Sequence, residues 1–336
     1  MGVEAWTVAE PGPIDSGPLQ LVQRARPEPG PTEVLVEVVT CGVCRTDLHL
    51  AEGDLAPHLR GATPGHEVIG RVVERGNEAR RFEPGERIGI AWLRHTCGCC
   101  RFCRRGAENL CLHPRFTGWD DHGGFARHAL VDEAYAYRIP ERFGDLEAAP
   151  LLCAGIVGYR SLKRAAVAPG GRLGIYGFGA SAHLVAQVAI AAGVEVYVCT
   201  RAAAARELAT ELGAVWVGEA AEAPPVPLDG AVLFAPAGEL VLPALEALDR
   251  GGRLSVAGIH LSDVPELDYQ RHLFQERELV SVTANTRADG EEFLAVAANI
   301  GIHVQTMPYP FEEADTALAD LAHDRVVGAA VLEIAT

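Results

Sequence analysis

Nine consecutive residues, Cys41-Gly-Val-Cys44-Arg-Thr-Asp-Leu-His49, carry two thiols, a guanidinium, a hydroxyl, a carboxylate and an imidazole. Soft thiolates beside an imidazole suit a borderline-soft metal ion, and a Cys with a further, remote His points to zinc. A pair of small buried thiols followed by a solvated polar tail is the alternative reading, and spacing alone does not decide between Cys41 and Cys44 as ligand. A second cluster, Cys97-Gly-Cys-Cys100-Arg-Phe-Cys103 followed by Cys111, spaces four thiols by two, two and seven residues. Such a set can wrap one tetrahedral zinc with no open position, as structural zinc sites do. Cys99 is the spare, because adjacent cysteines do not easily both ligate at these spacings. A redox pair is the rival, but four regularly spaced thiols favour a metal. The third stretch is Gly177-Phe-Gly179-Ala180-Ser-Ala182, a G-x-G-x-x-A pattern. Gly177 permits a tight turn, Gly179 lets backbone approach a pyrophosphate, and Ala182 keeps helix and strand close. Ala180 lies in the turn, and the N-terminus of the helix that follows offers oriented N–H groups to the phosphates.

The elements that must position these groups fall into two styles. Glu33–Thr40, Val68–Glu74 and Arg87–Trp92 are rich in β-branched residues and read as strands, with Gly65-His66-Glu67 between the first two. The reactive nine-residue stretch is then expected as a loop at a strand end. Residues 1–32 are rich in proline and glycine and read as irregular backbone with short strands. After Pro150 the pattern changes to strand Gly171–Tyr176, helix His183–Gly193, strand Val194–Cys199 and a helix through Leu212. It continues with strand Gly230–Phe234, helix Glu239–Asp249 and strand Arg253–Ala257. This alternation predicts a doubly wound parallel sheet. The last fifty residues read as helices near Asp289–Asn299 and Glu312–His323 and a strand at Ala329–Ile334.

Composition narrows the function classes. A chain of 336 residues suggests two domains, and 49% hydrophobic with 22% charged residues is the balance of a packed globular protein. A formal charge of −16 argues against a polyanion such as nucleic acid as partner. Apolar runs are too short and charge-broken to span a bilayer, and no charged-then-apolar leader opens the chain, so neither a membrane partner nor export is expected. Nine cysteines in that setting suit a reducing cytoplasm, where clustered thiols are more often metal ligands than disulfides.

Taken together, Gly42-Val43-Cys44-Arg45-Thr46-Asp47-Leu48-His49, Gly65-His66-Glu67, the four-cysteine lobe, Leu152-Cys153-Ala-Gly and Gly177–Ala182 resemble the medium-chain zinc-dependent alcohol dehydrogenase family over essentially the full length. The resemblance is strongest to its bacterial and yeast-like branch, which prefers small primary alcohols such as propanol. It implies an α/β fold in which a GroES-like β-rich catalytic domain (1–153 and 286–336, with a structural zinc lobe at 95–113) carries an inserted Rossmann coenzyme domain (154–285). It also implies two Zn2+ per chain. The catalytic one would be held by Cys44, His66 and Cys153, leaving an open position, and the structural one by Cys97, Cys100, Cys103 and Cys111. Cys41 becomes a bystander. Glu67 is implied near the metal during ligand exchange, and Asp47 as the support of His66. Thr46 and His49 are implied in a proton path by way of the coenzyme ribose, and Arg45 in contact with the coenzyme pyrophosphate. Trp92 would line a narrow pocket, Leu55 stands where a second tryptophan can occur, and Ile259 is implied beside the coenzyme and pocket. The implied reaction is reversible hydride transfer between a small primary alcohol or aldehyde and NAD(P), by a homotetramer or homodimer. An aldehyde reductase, a polyol dehydrogenase or a non-catalytic zinc- and coenzyme-binding relative are the alternatives.

Coenzyme choice is read from the strand end after the glycines. An acid there holds the ribose hydroxyls of NAD. Here the position offers Cys199-Thr200-Arg201: no acid repels a 2′-phosphate, Thr200 can hydrogen-bond one and Arg201 can neutralise it. NADP(H), or dual use, is therefore expected, unless Arg201 is only an exposed charge at the start of the next helix. A second pyrophosphate arginine found near the C-terminus of the branch is missing at Val326-Val-Gly328-Ala329, where Arg325 is the nearest substitute.

Overall fold

The computed structural model describes residues 2–220, 222–258 and 261–335. It divides into two compact units, Met1–Cys153 with Ala284–Ala298 and Gln305–Thr336, and Ala154–Thr283 with Asn299–Val304. Among the described residues, no helix is long and apolar enough to cross a membrane.

The first unit is built on one strand, Glu33–Val43. Its run of valines buries both faces, with Val34, Leu35, Val36 and Val38 all inaccessible to solvent, as β-branched side chains do on a packed pleated surface. One edge pairs antiparallel with Val68–Arg75. The other edge is shared: Glu33–Glu37 pair with strand His128–Asp132, and Thr40–Val43 pair with the C-terminal strand Ala329–Glu333. The sheet extends through Arg87–Ile90 and Ala136–Arg138 on one side and through Thr306–Pro310 on the other, giving seven strands. A separate hairpin, Gly2–Val8 with Leu19–Ala25, is tied in by the indole N–H of Trp6, which donates to the Phe311 carbonyl at 2.8 Å.

The second unit is a six-stranded sheet, parallel throughout, in the spatial order Trp216–Gly218, Glu195–Cys199, Arg172–Tyr176, Leu228–Leu233, Leu248–Val256, Glu278–Ser281. In chain order that is 3-2-1-4-5-6, the arrangement whose reversal point opens a ligand crevice at the carboxyl ends of the strands. The α/β class and the doubly wound sheet expected from the alternation are therefore present.

Several elements differ from expectation. The reactive stretch is not a loop: a helix, Arg45–Glu52, starts directly after Cys44 and ends at Gly53. Its polar Thr46 and Asp47 are buried, which hides the amphipathic period that would have announced it. The strand expected at Arg87–Trp92 stops at Ile90 and resumes as Leu93–His95, leaving Trp92 at the break. The helix expected at Glu239–Asp249 is shorter, Val241–Glu246, because the next strand begins at Leu248 and runs through the Gly251-Gly252 pair that reads as a turn. Helices Asp145–Pro150 and Ile156–Ala165, joined by a π-type turn over Leu151–Gly155, had no clear signal. Ile259 lies outside the described residues.

Leu332, fully buried opposite Cys41, joins the C-terminal strand to the long strand. Leu332→Ala is expected to lower stability by about 2–5 kcal/mol in urea unfolding; a loss below about 1 kcal/mol contradicts this role.

Candidate active site and metal centres

Cys44 sits where the long strand ends, in extended conformation, one residue ahead of the helix. Asp47, in the first turn, reaches back so that its Oδ2 accepts the Cys44 backbone N–H at 2.9 Å. Its Oδ1 accepts the Gly65 N–H at 2.8 Å and faces His66 Nδ1 at 3.2 Å. A carboxylate on Nδ1 selects the tautomer that carries its proton there and turns Nε2 outward as a ligand. Nε2 lies 3.3 Å from the sulfur of Cys153, which comes from the π-type turn. The Cys44 and Cys153 sulfurs are 3.8 Å apart. Glu67 completes the group: one donor atom each from Cys44, His66, Glu67 and Cys153 lies within 4.8 Å of all the others. Gly42 makes room for it, since a Cβ at that position would stand 1.9 Å from Glu67 Oε2.

The buried donors shift one another's protons strongly. The hydrogen bond from Cys153 pulls the Cys44 thiol well below the usual thiol range, while the same contact, with burial, pushes Cys153 well above it. Burial opposes charging His66, but the Asp47 carboxylate, its hydrogen bond and the Cys44 thiolate outweigh it and hold the imidazole well above its ordinary value. Burial likewise raises the Glu67 carboxyl. A tetrahedral zinc with about 2.3 Å bonds to sulfur and about 2.0 Å to nitrogen spaces its ligands about 3.5–3.8 Å apart. The donor types and the two separations match that geometry. Cys41 is outside the cluster, fully buried, and its thiol is pushed up by desolvation.

Thr46 is buried one residue beyond Arg45, its hydroxyl 3.7 Å from the Cys44 sulfur. His49 follows on the same helix face, its Nδ1 3.0 Å from Asp54 Oδ2. Arg45 is paired with Asp324 at 2.5 Å. Trp92 meets His66 in a T-shaped contact, with ring centroids 5.0 Å apart, and stacks on Phe116 at 4.9 Å and Trp119 at 6.0 Å. His58 stacks on Trp119 in turn. Leu55 is half-buried just past the helix. Phe116, Trp119, His58, Asp54 and Asp324 carry no sequence signal, because each matters through contacts that only the folded chain creates.

The four-cysteine lobe hangs between the short paired strands Leu93–His95 and Arg115–Phe116. Cys97, Cys100, Cys103 and Cys111 gather within 4.8 Å, with sulfur separations of 3.5 Å for both Cys100–Cys103 and Cys97–Cys111. These are far beyond a disulfide bond and close to the edges of a zinc tetrahedron. Backbone N–H groups of Cys103 and Leu112 lower the Cys100 thiol to about 6, favouring the thiolate. Cys99 is exposed and outside the group. Arg287, paired with Glu108 at 2.7 Å, ties the lobe to the helix Arg287–Ile300.

In the second unit, Gly177 follows the first strand at φ +86°, where a Cβ would stand 2.8 Å from the Ala235 nitrogen. Gly179 caps the helix Ala180–Ala191, and no atom lies within 4 Å of the place a Cβ would take. Ala182 is fully buried at the helix base. Cys199, ending the second strand, is buried and pushed up to about 12. Thr200 is buried and its N–H donates to the Gly218 carbonyl, while Arg201 is exposed.

Comparison with known proteins adds three findings. A family profile described as the alcohol dehydrogenase GroES-like domain matches residues 30–141. A protein named probable alcohol dehydrogenase AdhA from Mycobacterium tuberculosis is 58% identical over 99% of this chain and 97% of its own length. Among solved structures, a cobalt- and zinc-bound thermostable alcohol dehydrogenase from Pyrobaculum aerophilum superposes with a TM-score of 0.89 at 26% identity, covering 99% of this chain and all of that one. A structure from Sinorhizobium meliloti 1021, assigned as a zinc-binding dehydrogenase and bound to NADP, does so equally, at 0.89 and 26% over the same shares.

Two outcomes are expected. Asp47→Ala should weaken zinc retention at the Cys44 site by about 10–100-fold against a competing chelator; unchanged retention contradicts the supporting role. Cys103→Ala should remove one zinc per chain by metal analysis and lower the Tm, and an unchanged Tm with full metal content contradicts a structural zinc in the lobe.

Proposed function

Because the chain belongs to the medium-chain zinc-dependent alcohol dehydrogenase family, we propose that this oxidoreductase interconverts a small primary alcohol and its aldehyde, favouring NADP(H) over NAD(H). The observation that carries the reading is the Cys44, His66, Cys153 cluster, whose donor types and separations suit an open zinc site. When bound, zinc supplies a Lewis acid that eases loss of a hydroxyl proton, and NADP(H) supplies or takes up the hydride.

The rest is the work of the chain. Cys44, His66 and Cys153 hold the metal, and Glu67 offers a nearby carboxylate during ligand exchange. Asp47 fixes the His66 ring and its tautomer. The Thr46 hydroxyl, beside the Cys44 sulfur, would take the proton of the alcohol while passing its own on by way of the coenzyme ribose towards His49. His49, oriented by Asp54 one turn further on, returns it to water, a task suited to imidazole. Trp92, stiffened by Phe116 and Trp119, narrows the approach to His66 and favours a short substrate. Leu55 leaves somewhat more room than a tryptophan. A second zinc in the four-cysteine lobe has a structural role.

For the coenzyme, Gly177, Gly179, Ala180 and Ala182 form the diphosphate turn, and Arg45 adds a positive charge. The absence of an acid at Cys199-Thr200-Arg201 and the NADP bound by the Sinorhizobium relative support the phosphorylated form. Exposed Tyr269, Phe274 and Leu279 around the edge strand Glu278–Ser281 support self-association as a homodimer or homotetramer. Nine unbridged cysteines suit a cytoplasmic setting.

Cys44→Ser is expected to lower kcat/KM by more than about a hundredfold, beyond the cost of losing a supporting residue, while coenzyme still binds. Activity retained in a metal-verified variant contradicts the ligand assignment. Thr200→Asp with Arg201→Ala should lower the NADP/NAD ratio of kcat/KM by about tenfold or more. A ratio that stays put contradicts the coenzyme reading.

A further inference from the structure

A second guanidinium stands at the carboxyl end of the strand Glu195–Cys199, where ligands bind to parallel sheets of this order. Arg206 lies in the second turn of the helix Ala203–Glu211. Its Nη1 donates to the Thr200 carbonyl at 3.3 Å and to the Glu219 carboxylate just beyond the strand Trp216–Gly218. The side chain is about two-thirds buried, so these two bonds hold it in place between the ends of the second and third strands. Both use the same nitrogen. Among the described residues, none accepts from Nε or Nη2. Those two nitrogens form the side-on fork that grips two oxygens of a phosphate or carboxylate. The first turn of the same helix holds only alanine, while Glu207 and Glu211 further along it line the surface cavity that Arg206 borders. Arg201, also at this strand end, has no ion-pair partner among the described residues.

We propose that Arg206 is a specificity-determining residue, whose Nε/Nη2 fork binds the 2′-phosphate of NADP(H) while Glu219 and the Thr200 carbonyl keep the guanidinium positioned. The inference rests on the NADP(H) reading above and assigns the discrimination to a residue that the strand-end pattern does not mark. A fork already ordered by two bonds loses less side-chain freedom on binding than a mobile surface arginine does. Arg201 then supplies charge, and Arg206 supplies geometry.

Equilibrium titration of the full-length protein with adenosine 2′,5′-bisphosphate and with 5′-AMP tests this without turnover. The wild type should bind the bisphosphate more tightly than AMP. Arg206→Gln, which keeps a donor for the Thr200 carbonyl, should weaken the bisphosphate by roughly tenfold to a hundredfold and leave AMP unchanged. Arg206→Lys, with charge but no fork, should recover only part of the loss. A wild type that fails to distinguish the two ligands overturns the NADP(H) reading itself. A wild type that distinguishes them, with folded Arg206→Gln and Arg206→Lys proteins that do so equally well, overturns the role of Arg206 alone.

Discussion

The carboxylate of Asp47 is the constraint on which the site depends. Burying a charge is costly unless every lone pair has a partner. Here one oxygen takes the Cys44 N–H, and the other takes the Gly65 N–H and faces His66. Those contacts join the end of the long strand, the first turn of the site helix and the turn before Val68–Arg75. One residue therefore sets the backbone that presents a thiolate and the ring that presents a nitrogen. On the zinc reading proposed above, these contacts order two of the three donors in advance, and such ordering lowers the penalty for binding.

The surrounding sheet explains why this arrangement holds. Glu33–Val43 is paired on both edges along most of its length, so Cys44 projects from a strand that cannot easily fray. The C-terminal strand pairs with its last four residues, which makes chain closure part of site formation. Glycine at position 42 then admits the Glu67 side chain against the backbone. Cys153 arrives from a π-type turn, an irregularity that recurs at functional sites because it re-aims a side chain.

Much of this was legible in residue order, and the misses have physical causes. Valine-rich strands and the glycine turn before Ala180 announced themselves through local pattern, which backbone geometry enforces. The helix Arg45–Glu52 did not, because Thr46 and Asp47 are buried for polar reasons and break the apolar period. Trp92 was marked only through resemblance, and its partners Phe116 and Trp119 were not marked, because a ring stack joins positions 24 and 27 residues apart in sequence through tertiary packing. Cys44 and Cys153 are separated by 109 residues, and no spacing rule reaches that far. Arg206 escaped notice for a similar reason: its value lies in which nitrogen its neighbours occupy.

The central claim is that each chain carries two zinc sites of different composition, one open with two sulfurs and one closed with four. Zinc X-ray absorption on the purified protein, with metal content measured on the same sample, tests it most directly. The account predicts two zincs per chain and an average zinc environment of about three sulfurs near 2.3 Å and one nitrogen or oxygen near 2.0 Å. A single zinc per chain, or an average environment dominated by nitrogen and oxygen, would contradict it.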